Sequence, residues 1–103
     1  MRLVFAESAA SDLEDIIDYI ASDNPSAAER VYRAIQDAAG KLSEFPEIGR
    51  PGRLPQTREL SVAGLPYIIV YQTGAGSVTI VAVLHGARDL VRILRDRQKG
   101  LDP

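Results

Sequence analysis

Near residue 46 the hydrophobic period of the chain changes, and that change limits the available folds more than any other feature. Before it, apolar residues recur at helical spacing; after it, they fall in short β-branched and aromatic runs. Leu13, Ile16, Ile17 and Ile20 stand at i, i+3, i+4 and i+7, with Asp12, Asp15 and Asp18 among the polar positions between them. This spacing predicts one amphipathic helix whose acids face water. Its start is expected between Ser8 and Ser11, because either serine can cap the free N–H groups and Ser11 has Glu14 three residues on. Asn24-Pro25 then separates two helices: asparagine is a good N-cap, and proline at the first helical position sacrifices an N–H that had no partner anyway. Ala28, Val31, Tyr32, Ile35, Ala38, Ala39, Leu42 and Phe45 continue the helical period for about five turns. Two helices joined by so short a link make an antiparallel hairpin with one shared apolar face.

A sheet must cover that face, and the second half of the chain supplies it. "RELSVA", "YIIVYQ" and "VTIVAVL" are strand-like runs separated by the turn signals Gly64-Leu65-Pro66 and Gly74-Ala75-Gly76, which predicts a three-stranded meander. The second and third runs are apolar on both faces, as central strands are, whereas Arg58, Glu59 and Ser61 predict a wetter, edge-like first strand. "RLVF" at Arg2 to Phe5 is β-prone and is expected to complete a mostly antiparallel four-stranded sheet, with no indication of its neighbour. After the last strand, Arg88, Arg92, Arg95 and Lys99 fall at i, i+4, i+7 and i+11 while Leu90, Ile93 and Leu94 face roughly the other way. That pattern predicts a short basic C-terminal helix over 88–103. The expected fold class is therefore α+β, in one domain spanning 1–103.

Composition removes several function classes. The chain of 103 residues contains no cysteine and one histidine, so a disulfide framework and a thiolate metal site are excluded and no cofactor or metal is expected. No apolar run approaches a signal peptide or membrane span, which favours a soluble cytoplasmic protein. The formal charge of −2 conceals an asymmetry: residues 1–48 carry ten acids against four bases, and residues 49–103 carry eight bases against four acids. Such segregation suggests an acidic partner or nucleic acid for the C-terminal half, or charge balance between the halves.

Familiar catalytic constellations are missing. "GAGS" at Gly74 to Ser77 is followed by a strand, so no helix N-terminus can hold a phosphate there, and no serine stands in a G-x-S-x-G elbow. His85, beside Gly86 at a strand end, could serve as a general base, although a histidine that simply closes the strand is the commoner arrangement. Pro46, Gly49, Pro51, Gly52 and Pro55 form a stiff connection of about eleven residues, near the upper limit for a loop without function. Arg50, Arg53 and Arg58 are expected to be held by it as a rim beside the sheet. Together with Arg88, Arg92 and Arg95 they form the candidate cationic surface, converging on one docking platform; the alternative is that they are solvated or pair with the acidic hairpin.

With these elements in order, "ASDLEDIIDYIASDNPSAAERV", "FPEIGRPGR", "TRELSVAGLPYIIVYQ" and "VLHGARD" resemble the RelE/ParE toxin superfamily, and specifically its ParE branch. The resemblance covers most of residues 5 to 90. It implies a strand, a helical hairpin, a three-stranded meander and a C-terminal tail. It also implies a type II toxin neutralised by a ParD-like antitoxin, in a toxin–antitoxin hetero-oligomer with no membrane association and no sequence-specific nucleic-acid binding. ParE-like members are associated with inhibition of DNA gyrase, and RelE-like members cut messenger RNA on the ribosome.

The two activities need different chemistry. RNA cleavage by 2′-hydroxyl attack needs a base, cations on the phosphate and an acid for the leaving oxygen. RelE-like nucleases are associated with lysines on the first meander strand and an arginine at the start of the second; Glu59, Leu60, Ser61 and Ile68 stand there instead. Arg58, Tyr71, His85 and Arg88 are the candidate replacement set. Leu90 and Val91 replace the aromatic-proline pair often found after "HGA" in the family. The resemblance therefore implies a gyrase-binding toxin without catalytic residues. The alternatives are a ribosome-dependent endoribonuclease and a toxin-like homologue that only binds antitoxin. Arg50, Arg53, Arg58, His85, Arg88, Arg92 and Arg95 are the expected contacts for target or antitoxin.

Overall fold

Seven elements follow in the order β1 (Arg2–Phe5), α1 (Glu7–Ala21), α2 (Pro25–Glu44), β2 (Arg50–Pro51), β3 (Arg58–Ser61), β4 (Tyr67–Gly74) and β5 (Ser77–His85). The structure is a computed structural model and describes residues 1–86 and 95–96. The α+β class and the helical hairpin are as expected. Asn24 caps α2 by accepting from the Ala27 N–H at 3.1 Å, with Pro25 opening the helix. The hairpin covers one face of the sheet, where Leu13, Ile35, Ala39 and Leu42 pack with Ile69, Tyr71, Val78 and Ile80 in the main core. Ile68, Val70, Ala82 and Leu84 form a second buried cluster on the other face, joined by Leu54 and Val81.

The sheet has five strands in the order β1-β5-β4-β3-β2. β2, β3, β4 and β5 are antiparallel neighbours, and β1 runs parallel to β5. The expected four strands are thus present, and a fifth comes from the proline–glycine connection, where Arg50 and Pro51 pair with Glu59 and Arg58. This addition corrects the expectation for the first meander strand. β3 is an interior strand, and Glu59 is only 2% exposed. A two-residue strand flanked by prolines and glycines carries no alternation of its own, so its pairing shows only in three dimensions.

The start of α1 is also corrected. The helix begins at Glu7, and its N-cap Ala6 has no side-chain cap. Ala6 still donates its N–H to the Ile80 carbonyl at 2.9 Å, so the chain turns directly from strand to helix. Beyond that point β1 no longer covers the β5 edge. The Ser8 hydroxyl donates to the Val81 carbonyl at 2.9 Å, and Asp12 accepts from the Val83 N–H at 3.0 Å. Two side chains one helical turn apart thereby continue the ladder that β1 leaves unfinished. Asp12 is consequently not one of a wholly solvated row of acids. Asp12→Ala should cost about 1–2 kcal/mol, because it strands a partly buried N–H. Amide exchange at Val83 should accelerate with it; unchanged protection would show that the carboxylate does not complete the edge.

Hairpin turns close the other strands. Ala75 and Gly76 both have positive φ, 30° and 80°, which matches the primed two-residue loop expected of a tight β4–β5 hairpin. Most of the expected basic helix lies outside the described residues, including Arg88, Arg92 and Lys99. Arg95 and Asp96 are helical and exposed.

Candidate interaction surface

The segment between α2 and β3 is closed by its own hydrogen bonds. Gly52 N–H donates to the Thr57 carbonyl at 2.7 Å, and the Thr57 hydroxyl donates to the Leu54 carbonyl at 2.8 Å. A Cβ at Gly52 would run into the Thr57 side chain, so only glycine allows this approach. Gln56 takes a positive φ of 64° at the tip, an uncommon conformation for a residue with a side chain. The rim is therefore a built structure, as the prolines and glycines suggest.

Its arginines are divided between the two faces of the sheet. Cross-strand partners point to the same face, and Arg50, Glu59 and Val70 form one such row. Val70 belongs to the cluster on the face away from the helices. On that side the Glu59 carboxylate, with its side chain 1% exposed, accepts from the Arg50 guanidinium at 3.3 Å and from the Arg53 backbone N–H at 3.0 Å. A buried carboxylate is tolerable only when paired and hydrogen-bonded in this way.

Pro51, Arg58 and Tyr71 form the adjacent row, on the helix side. Arg58 Nη1 donates to the Gly49 carbonyl at 2.7 Å and more weakly to that of Glu47 at 3.4 Å. Tyr71 is fully buried; its hydroxyl donates to the Pro46 carbonyl at 2.8 Å and accepts from the Gly49 N–H at 2.9 Å. Arg50, Arg53 and Arg58 thus share one corner of the sheet without forming one platform. Arg50 is matched by Glu59, not by the acidic hairpin. Glu59 itself was invisible as a site residue, because the only signal for its burial is a strand that the sequence does not announce.

His85 lies at the other end of β4. It is exposed, pairs across the strands with Tyr67, and meets that ring edge-on with centroids 5.5 Å apart. Tyr67 and Tyr71 are four positions apart on β4, about 13 Å between their backbones at the usual strand rise. Arg58 and Tyr71 are neighbours, but His85 does not join them, and the tyrosine hydroxyl is occupied by two backbone groups. Arg88 and Arg92 fall outside the described residues, and Arg95 is exposed at its own position.

A second surface feature lies on the hairpin. Phe5, Leu13, Ile17 and Tyr32 line an apolar groove that Glu14 and Asp18 edge with negative charge. The acids that edge this groove and the arginines of the β2–β3 corner thus stand on different elements. No helix among the described residues is long and apolar enough to cross a membrane.

Comparison with known proteins places these features in context. Residues 3–90 match the family described as the ParE toxin of the type II toxin-antitoxin system, parDE. A protein of Sinorhizobium fredii named "Putative toxin Y4kP" is 40% identical over 93 residues, covering 90% of this chain and 96% of that protein. "Toxin RelE2" of Caulobacter vibrioides is 40% identical over 87 residues, covering 84% of this chain and 97% of its own length. Among solved structures, a chain of the chromosomal ParDE toxin–antitoxin system from P. aeruginosa has the same fold, with a TM-score of 0.76 at 22% identity, over 84% of this chain and 96% of that one.

Proposed function

Because the chain belongs to the ParE toxin family of type II toxin–antitoxin systems, we propose that it is a toxin neutralised by a ParD-like antitoxin and that it acts by binding and inhibiting DNA gyrase. In this reading it works in the cytoplasm by adhesion and not by bond breaking. The observation that carries the choice is the state of Tyr71. The phenol nearest Arg58 is buried and bonded to Pro46 and Gly49, and the imidazole that could act with it is paired instead with Tyr67, whose backbone position is about 13 Å along the strand from that of Tyr71. A general base must reach the proton that it removes. The antitoxin is expected to bring an acidic segment to the β2–β3 corner, folding as it binds.

Purified chain should abolish supercoiling by gyrase near stoichiometric ratio, and the cognate antitoxin should restore it. Full gyrase activity at stoichiometric excess would overturn the proposal. The relative named Toxin RelE2 favours a second reading, a ribosome-dependent endoribonuclease. Primer extension on translated message should then show discrete cuts that disappear in His85→Ala; an uncut message in induced cells would dismiss it.

A further inference from the structure

An open polar cleft lies beside β3, lined by Pro51, Gln56, Thr57, Arg58 and Thr73. We propose that it is a carboxylate site, taking one aspartate or glutamate side chain of the acidic partner segment onto the Arg58 guanidinium. The identity of that partner rests on the toxin–antitoxin reading above; the chemistry of the cleft does not.

The geometry of Arg58 carries the proposal. Its Nη1 is held by the carbonyls of Gly49 and Glu47, and the segment that carries them is anchored at both ends by the buried Tyr71 hydroxyl, which donates to the Pro46 carbonyl and accepts from the Gly49 N–H. Nε and Nη2 make no hydrogen bond to the described residues. They form the edge of a guanidinium that grips a carboxylate with two parallel N–H donors. An arginine normally loses side-chain freedom when it binds, but here two backbone acceptors have already restricted it. Arg58 also forms no ion pair with a described acid, whereas Arg50 in the adjacent row is matched by Glu59. The lining also offers the Gln56 carboxamide and the Thr73 hydroxyl, which can donate to a second oxygen, while the Thr57 hydroxyl is already committed to the Leu54 carbonyl.

The same lining favours an acidic peptide over nucleic acid. A phosphate backbone is followed by several cations, and single-stranded bases stack on accessible aromatic rings. The lining has one cation, and the neighbouring aromatic, Tyr71, is fully buried.

The test is a ¹H–¹⁵N titration of the whole chain with a glutamate-rich decapeptide, its glutamine counterpart and a ten-nucleotide uridine RNA. The glutamate peptide should move the Arg58 Nε–Hε and Gln56 side-chain signals saturably, and the glutamine peptide should not. Arg58→Lys, which keeps the charge and loses the fork, should weaken binding about tenfold. Gln56→Gly removes the amide and relieves the positive φ. It should weaken binding about threefold with no loss of thermal stability, an outcome that a purely structural loop would not give. An unmoved Arg58 signal, or equal shifts from both peptides, would overturn the site. Tighter binding of the RNA would replace it with a phosphate site and favour the nuclease. If the peptide binds as expected but no co-encoded partner rescues growth, the cleft stands and the toxin–antitoxin reading fails.

Discussion

Gly49→Ala should lower the unfolding free energy by about 2–3 kcal/mol, the range for forcing one extra carbon into a packed site with loss of a buried hydrogen bond. The new Cβ would stand 2.5 Å from the Tyr71 hydroxyl oxygen, 2.8 Å from its ring and 2.9 Å from the Glu59 carbonyl oxygen. The tyrosine is wedged in the main core and the carbonyl is backbone, so neither can yield cheaply. Any displacement also breaks the Gly49 N–H bond to Tyr71 and loosens the Gly49 carbonyl that holds Arg58. Affinity for an acidic probe should therefore fall with stability. Gly40→Ala is the matched control. It lies in α2 with nothing within 4 Å of the new methyl and should raise stability by about 0.5–1 kcal/mol through lower unfolded-state entropy. Urea denaturation of both variants checks the pair: equal midpoints would show that the glycine at 49 is not required by close packing.

Glu59→Ala is expected to cost about 2–3 kcal/mol, below the range for breaking a fully buried ion pair. The reduction follows from asymmetry: the Glu59 side chain is 1% exposed but that of Arg50 is 59% exposed, so the freed guanidinium can turn into water. What remains is the lost acceptor for the Arg53 N–H and a cavity between β2 and the Val70 cluster. Glu59→Gln keeps the volume and one acceptor and should cost about 1 kcal/mol. Once Glu59 is alanine, Arg50→Ala should add almost nothing, because the two share one interaction. Denaturation of the four proteins of that cycle measures the coupling; additive losses would mean that the carboxylate does not organise the corner.

Several elements were readable because their signals are local. The i, i+3, i+4 spacing of Leu13, Ile16, Ile17 and Ile20 reports helical geometry wherever the helix is placed, and Asn24-Pro25 caps a helix with groups within three residues of each other. The runs around Tyr67 to Gln72 and Val78 to Leu84 read as apolar on both faces, and Tyr67 to Tyr71 and Ala82 to Leu84 are buried on both, with Gln72, Thr79 and Val81 half-buried. Misreadings arose where a distant segment decides. Ser8 and Asp12 look like a cap and a solvated acid, and they serve instead an edge of β5 more than seventy residues away. Glu59 looks like an edge residue until β2 pairs outside it.

Sequence alone determined the two helices, the strands β1, β3, β4 and β5, the linkage of the hairpin and the family to which the chain belongs. Tertiary structure decided that β1 lies beside β5, that Glu59 is buried against Arg50, and that Arg58 and Arg50 serve opposite faces. The physical reason is range. Backbone period and capping are set by neighbours along the chain, whereas the burial of a carboxylate or the clamp of Tyr71 on Gly49 across 22 positions depends on pairings that leave no local pattern.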